Sequence, residues 1–163
     1  MKSDRATQAT AELTAVRQHL TDVRNTLLQL HKTLVDSERV GYEAAVGAIQ
    51  SPNHFLHLLT HDPWFVWLHP LSQLVVSMDE ALDGKEPLTI AKADALVSHA
   101  YALLVASEIG EGFSRHYFDS LQRDPDVVLA HAEVAKLRGP RKTSSDGGQG
   151  TGGRRTNEES GPR

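Results

Sequence analysis

Residues 13–34 read Leu-Thr-Ala-Val-Arg-Gln-His-Leu-Thr-Asp-Val-Arg-Asn-Thr-Leu-Leu-Gln-Leu-His-Lys-Thr-Leu. Within them Leu13, Val16, Leu20, Val23, Leu27, Leu30 and Leu34 recur at alternating spacings of three and four. An α-helix turns once in about 3.6 residues, so this rhythm sets all seven side chains along one stripe. Sustained through three heptads, the stripe is the a/d seam of a coiled coil. A β-strand alternates with period two and does not produce it. The seam predicts one long helix from about 6 to 36, with Arg17, Arg24 and His31 at the flanking e positions. Beyond it Tyr42, Ala45, Val46 and Ile49 keep helical spacing on a shifted face. Gly41 and Gly47, poor helix formers, predict a separate or bent piece over 38–49.

A seam of that length needs a long apolar partner. The next helical segment is shorter and interrupted by proline, so part of the seam is expected to pair with a second copy. Leu13, Val16, Leu20, Val23, Leu27, Leu30 and Leu34 then form a homodimer interface. The competing reading covers the seam within one chain by helices at 63–82 and 90–106.

The rest of the chain repeats the helical theme. Ser51-Pro52, Asp62-Pro63 and Asp124-Pro125 each place a capping side chain before a proline at the first helical position. Thr89 is a further N-cap, after the turn Asp83-Gly84-Lys85-Glu86-Pro87. Helices are predicted at 52–60, 63–82, 90–106, around Phe113–Leu121 and from 125 to 137. Pro70 lies inside the second of these and is expected to kink it, since proline removes a hydrogen bond and clashes one turn back. No segment alternates with period two, so no strand is expected. The fold class is all-α: a bundle of about five to six helices, with a long N-terminal helix and a proline-kinked central one.

Composition divides the chain in two. Residues 139–163 hold seven of the 12 glycines and no aliphatic or aromatic side chain. Such a segment cannot bury enough surface to offset its ordering entropy and is expected to be a disordered tail. The folded domain is then 1–138. The tail carries five Lys/Arg against three Asp/Glu, so of the chain's net −4 the body holds −6. An acidic body argues against nucleic-acid binding, which needs a basic face. There is no cysteine, which rules out disulfides, thiolate metal sites and thiol nucleophiles. The polar first ten residues lack a leader's apolar stretch, and no run approaches the ~20 apolar residues of a membrane span. These features predict a soluble cytoplasmic protein.

Residues 53–71 carry the most distinctive chemistry. They hold four of the nine histidines and both tryptophans. His54, His57 and His61 are spaced three and four apart, so an unbroken helix would set their rings on one face. With His69 they are candidate ligands for zinc or iron, supplemented by His31, Glu38, Glu43, His99, Glu108 or His116 from facing helices. Haem is a variant, with His57 or His69 beside the apolar run Trp64-Phe65-Val66-Trp67-Leu68. The alternative gives these histidines hydrogen bonds at helix ends. The chain break at Asp62-Pro63 weakens the shared register. Motifs for nucleophilic catalysis or phosphate binding are lacking, so a non-enzymatic role is expected.

The run His61-Asp62-Pro63-Trp64-Phe65, followed by Trp67-Leu68, Pro70-Leu71-Ser72 and Asp79-Glu80, resembles a family of small bacterial all-helical proteins of uncharacterised function. The resemblance covers about 11–138 and implies a bacterial, cytoplasmic protein. It brings no cofactor and no site residues. The sequence thus reads as a helical bundle with an interaction or regulatory role, homodimeric through its N-terminal helix, with a metal- or haem-binding bundle as the alternative.

Overall fold

A computed structural model describes residues 1–138, and the expected disordered tail lies outside them. Among the described residues there are seven helices and no strand. In order they are α1 (Lys2–Ala45), α2 (Pro52–His61), α3 (Pro63–Val66), α4 (His69–Asp83), α5 (Ile90–Leu103), α6 (Phe113–Arg123) and α7 (Pro125–Lys136). The all-α bundle expected from the spacing is the fold observed.

The axis of the fold is α1, and its 44 residues make a rod of about 66 Å. Arg17 Nη1 donates to Leu82 O at 2.9 Å, and Arg24 Nε lies 3.1 Å from Asp79 Oδ1 as an ion pair. Low numbers on α1 therefore meet high numbers on α4, and the two run antiparallel. After the turn at 84–89, α5 returns along α4. α7 starts beside Glu38 and packs back along α1. Leu20, Val23, Leu27, Leu30 and Leu34 are completely buried among Leu71, Met78, Ala93, Ala100 and Val127. Each such side chain contributes roughly 1.5–3 kcal/mol through burial.

The N-caps form as their residue types dictate. Ser51 Oγ accepts from His54 N–H and Thr89 Oγ1 from Lys92 N–H, both at 3.1 Å. Asp62 Oδ1 accepts from Trp64 N–H at 2.8 Å and Asp124 Oδ1 from Asp126 N–H at 2.9 Å.

Two local expectations are corrected. The separate piece over 38–49 does not exist, because α1 runs unbroken through Gly41 to Ala45. A helical glycine costs only about 1 kcal/mol against alanine, too little to break a helix whose flanking turns are packed. A Cβ at Gly41 would sit 3.4 Å from Trp64 Cζ2, in van der Waals contact, so the ring packs directly beside the helix there. The rod ends at Val46, followed by Gly47 with φ 144°, a conformation few other residues tolerate.

The kinked helix over 63–82 is likewise two helices. α3 makes a single turn, Trp67 and Leu68 bridge, and α4 starts afresh with Pro70 in its first turn. There its missing N–H leaves no bond unmade. Leu71 N–H and Ser72 N–H both return to Leu68 O, at 3.1 and 3.2 Å, and carry the chain past the proline.

α2 and α3 close the C-terminal end of α1 around a second apolar cluster. Tyr42, Leu58 and Phe65 are buried there against Phe55, Leu59, Ile49 and Trp64. Phe55 meets Phe65 edge-on at 5.8 Å, and Arg39 lies 5.0 Å over the Phe55 ring.

Candidate functional site

The four histidines of the 54–69 segment divide into two pairs with different duties. His54 Nδ1 accepts from Gln50 N–H at 3.2 Å, which ties the chain before α2 to its first turn. That bond needs a lone pair on Nδ1, so the proton sits on Nε2. His69 Nε2 lies 3.0 Å from Leu59 O, so it carries the proton and donates to that carbonyl. Leu59 is in the last turn of α2, where carbonyls lack helical partners. His69 thereby pins α2 to the start of α4.

His57 and His61 make no such cross-link. Both are exposed, and their rings stack with centroids 4.6 Å apart and planes inclined by 21°. His61 Nδ1 is 2.7 Å from Thr60 Oγ1 and 3.3 Å from His57 O. The Thr60 hydroxyl itself donates to Leu56 O and His57 O, both at 3.0 Å. With its only proton directed at carbonyls, Oγ1 must accept from His61 Nδ1–H. The lone pair of His61 then resides on Nε2 of an exposed ring.

Three of the six expected supplementary ligands, Glu38, Glu43 and His116, are engaged elsewhere. Glu38 Oε1 accepts from Arg123 Nη2 at 2.7 Å, and Glu43 pairs with Arg39 at 3.2 Å. The His116 ring stacks on Trp67 at 5.2 Å. Burial pushes the His31 imidazole below its ordinary basicity on the flank of α1. Among the described residues no group of three or more His, Cys, Asp or Glu side chains converges on a common point. Haem finds no slot beside the aromatic run. Phe65 is completely buried against Tyr42 and Phe55, Trp67 is filled in by Phe113 and His116, and Trp64 lies edge-on to Tyr42.

Two part-buried polar pairs between helices were not legible in the sequence. Glu38 joins α1 to Arg123 at the end of α6, 85 positions away. Its carboxylate is only 8 % exposed, while the guanidinium is 49 % exposed. The pair lies beside an open groove of about 590 Å³ between the second half of α1 and the α6–α7 corner, lined by Lys32, Asp36, Val40, Arg123 and Asp126 among others. Tyr117, completely buried, lies with its hydroxyl 2.6 Å from His131 Nδ1, joining α6 to α7. Burial raises the phenol far above its ordinary pKa, so it stays protonated and donates to a neutral imidazole. Neither pair has a sequence signature, because each joins residues on different helices.

The seam proposed as a dimer interface meets a different fate along its length. Val16, Leu20, Val23, Leu27, Leu30 and Leu34 are buried by α4, α5 and α7 of the same chain. Those six side chains have no surface left for a second copy, which corrects their assignment as interface residues. Leu13 alone remains partly exposed, and every residue from Met1 to Glu12 is exposed. The helices that cover α1 are only 15, 14 and 12 residues long, and Lys2–Glu12 overhangs the bundle by about 16 Å. No helix among the described residues is long and apolar enough to cross a membrane. Comparison with protein-family models, curated proteins and solved structures gives no match to this chain.

Proposed function

We propose that this chain is a non-enzymatic helical-bundle protein with an interaction or regulatory role, self-associating through the bare N-terminal end of α1. The observation that carries the reading is the overhang and its register. Extended upstream, the heptad seam places Ala6 at a, Ala9 at d and Leu13 at a, in step with the buried positions that follow. Arg5 and Glu12 fall at g. Small seam residues allow close backbone approach, and the charges are complementary to a second copy laid antiparallel. Such a pair sets Ala6 of one copy against Ala9 of the other and Arg5 beside Glu12. A parallel pair on the same face would drive the two sets of α4 and α5 into each other. The bacterial, cytoplasmic setting implied by the family resemblance belongs to the same proposal.

The contact is short, below the ~800 Å² per partner of a standard stable interface, so the dimer depends on concentration. Sedimentation equilibrium over a wide concentration series tests it. Wild type is expected to move from monomer towards dimer as concentration rises, and Ala9→Glu with Leu13→Glu to remain monomeric. A wild-type mass that stays monomeric throughout would overturn the reading.

A further inference from the structure

We propose that His57 and His61 form an open, two-imidazole site for a borderline divalent transition-metal ion at the C-terminal end of α2. The site is a pair, narrower than the four-histidine set considered from sequence, and it does not depend on self-association. Three observations support it. The rings already face one another across one helical turn, 4.6 Å apart and nearly parallel. Two metal–nitrogen bonds of roughly 2.1 Å at a tetrahedral angle place their nitrogens roughly 3.4 Å apart. In the stack the in-plane lone pairs do not converge, so metal binding turns the rings about their soft terminal torsions until two nitrogens meet at that spacing.

The second observation is the tautomer. Ligating histidines commonly donate their other ring N–H to an oxygen, which fixes the ring and raises its basicity. Thr60 Oγ1 serves His61 Nδ1 in that way, itself oriented by Leu56 O and His57 O. The third is position. His61 is the last residue of α2, where the helix dipole favours positive charge. His54 and His69 take no part, since each is committed to a backbone group. Asp62, the adjacent carboxylate, is held through Oδ1 as the N-cap of α3. The other coordination positions face solvent and accept water or a donor from another molecule.

Imidazole ligands favour copper, nickel and zinc over the hard cations, and the divalent series peaks at copper. The test is calorimetric titration of the full chain, carrying no histidine tag, with Cu²⁺, Ni²⁺ and Mg²⁺ salts. One equivalent of Cu²⁺ is expected to bind, Ni²⁺ more weakly and Mg²⁺ not at all. His57→Ala and His61→Ala should each weaken Cu²⁺ binding at least tenfold. His99→Ala, on the exposed face of α5, should leave it within twofold. Thr60→Val should weaken it severalfold without abolishing it. All of these positions are exposed, so circular dichroism should show unchanged helix content. Cu²⁺ affinity that survives either histidine substitution, or no binding to wild type, would overturn the proposal. The readout uses dilute monomer and is therefore independent of the dimer.

Discussion

The two ends of α1 carry the same heptad rhythm and lead different lives. From Val16 to Leu34 the seam is sealed by three helices of its own chain; from Lys2 to Glu12 it stands bare, with Leu13 half-covered at the boundary. The pattern is continuous, so the difference comes from the length of the covering helices and from side-chain size. Leucine and valine fill the covered layers, whereas the overhang offers alanines and a single leucine. An a/d rhythm therefore announces that a helix face will be buried, without saying by which chain.

The sharpest way to break this contrast is truncation on either side of it. Leu27→Ala is expected to cost about 2–5 kcal/mol in urea unfolding, because the side chain is completely enclosed and leaves a cavity. Leu13→Ala, measured at dilute concentration, should cost under about 0.5 kcal/mol. Similar losses at both sites would show that the overhang is covered in the monomer.

Further along the rod, Arg123→Ala strands the Glu38 carboxylate in a nearly buried position. A loss of about 1–3 kcal/mol is expected, towards the lower end because the guanidinium is itself half exposed. Glu38→Gln should restore part of it in the Arg123→Ala background, since a neutral amide tolerates burial better. If it does not, the carboxylate is reached by water.

A smaller effect tests the flank of the covered half. Burial holds the His31 pKa below its ordinary value of 6.5. Between the lowered folded value and 6.5 the unfolded chain binds more protons than the folded one, so stability rises with pH across that window. The contribution is fully present above 6.5 and is lost as pH falls through the folded value. His31→Gln should flatten that slope in pH-dependent chemical denaturation, and an unchanged slope would remove His31 as its source.

The smallest effect belongs to the bare end. Deleting residues 2–10 should change the stability of dilute monomer by less than about 0.5 kcal/mol, because no side chain there is buried. A lowered thermal midpoint beyond that would mean the overhang supports the bundle.

Much of the fold was legible because helices advertise themselves locally. The Leu13–Leu34 spacing, the Ser51-Pro52, Asp62-Pro63 and Asp124-Pro125 starts and the Thr89 cap all depend on neighbours within one turn, and all formed as read. The reading failed where a local rule met distant packing. Gly41 looked like a break, yet α1 runs through it with Trp64 packed alongside, and Pro70 looked like a kink until a new helix began at His69. The histidines show the limit most plainly. Their spacing put His54, His57 and His61 on one face, yet hydrogen bonds to Gln50 N–H and Leu59 O decided which rings were committed. Glu38–Arg123 and Tyr117–His131 had no local signal at all.

The sequence by itself determined that the chain is helical, where most helices begin, and which face of α1 is apolar. Each of these follows from interactions spanning a few residues, namely backbone hydrogen bonds, caps and side-chain spacing. Only the tertiary structure decided that α4, α5 and α7 cover that face, that Lys2–Glu12 is left over, and that His57 and His61 remain paired and open. These outcomes depend on how long each helix is relative to its neighbours and on contacts between residues up to 85 positions apart, which no local pattern encodes.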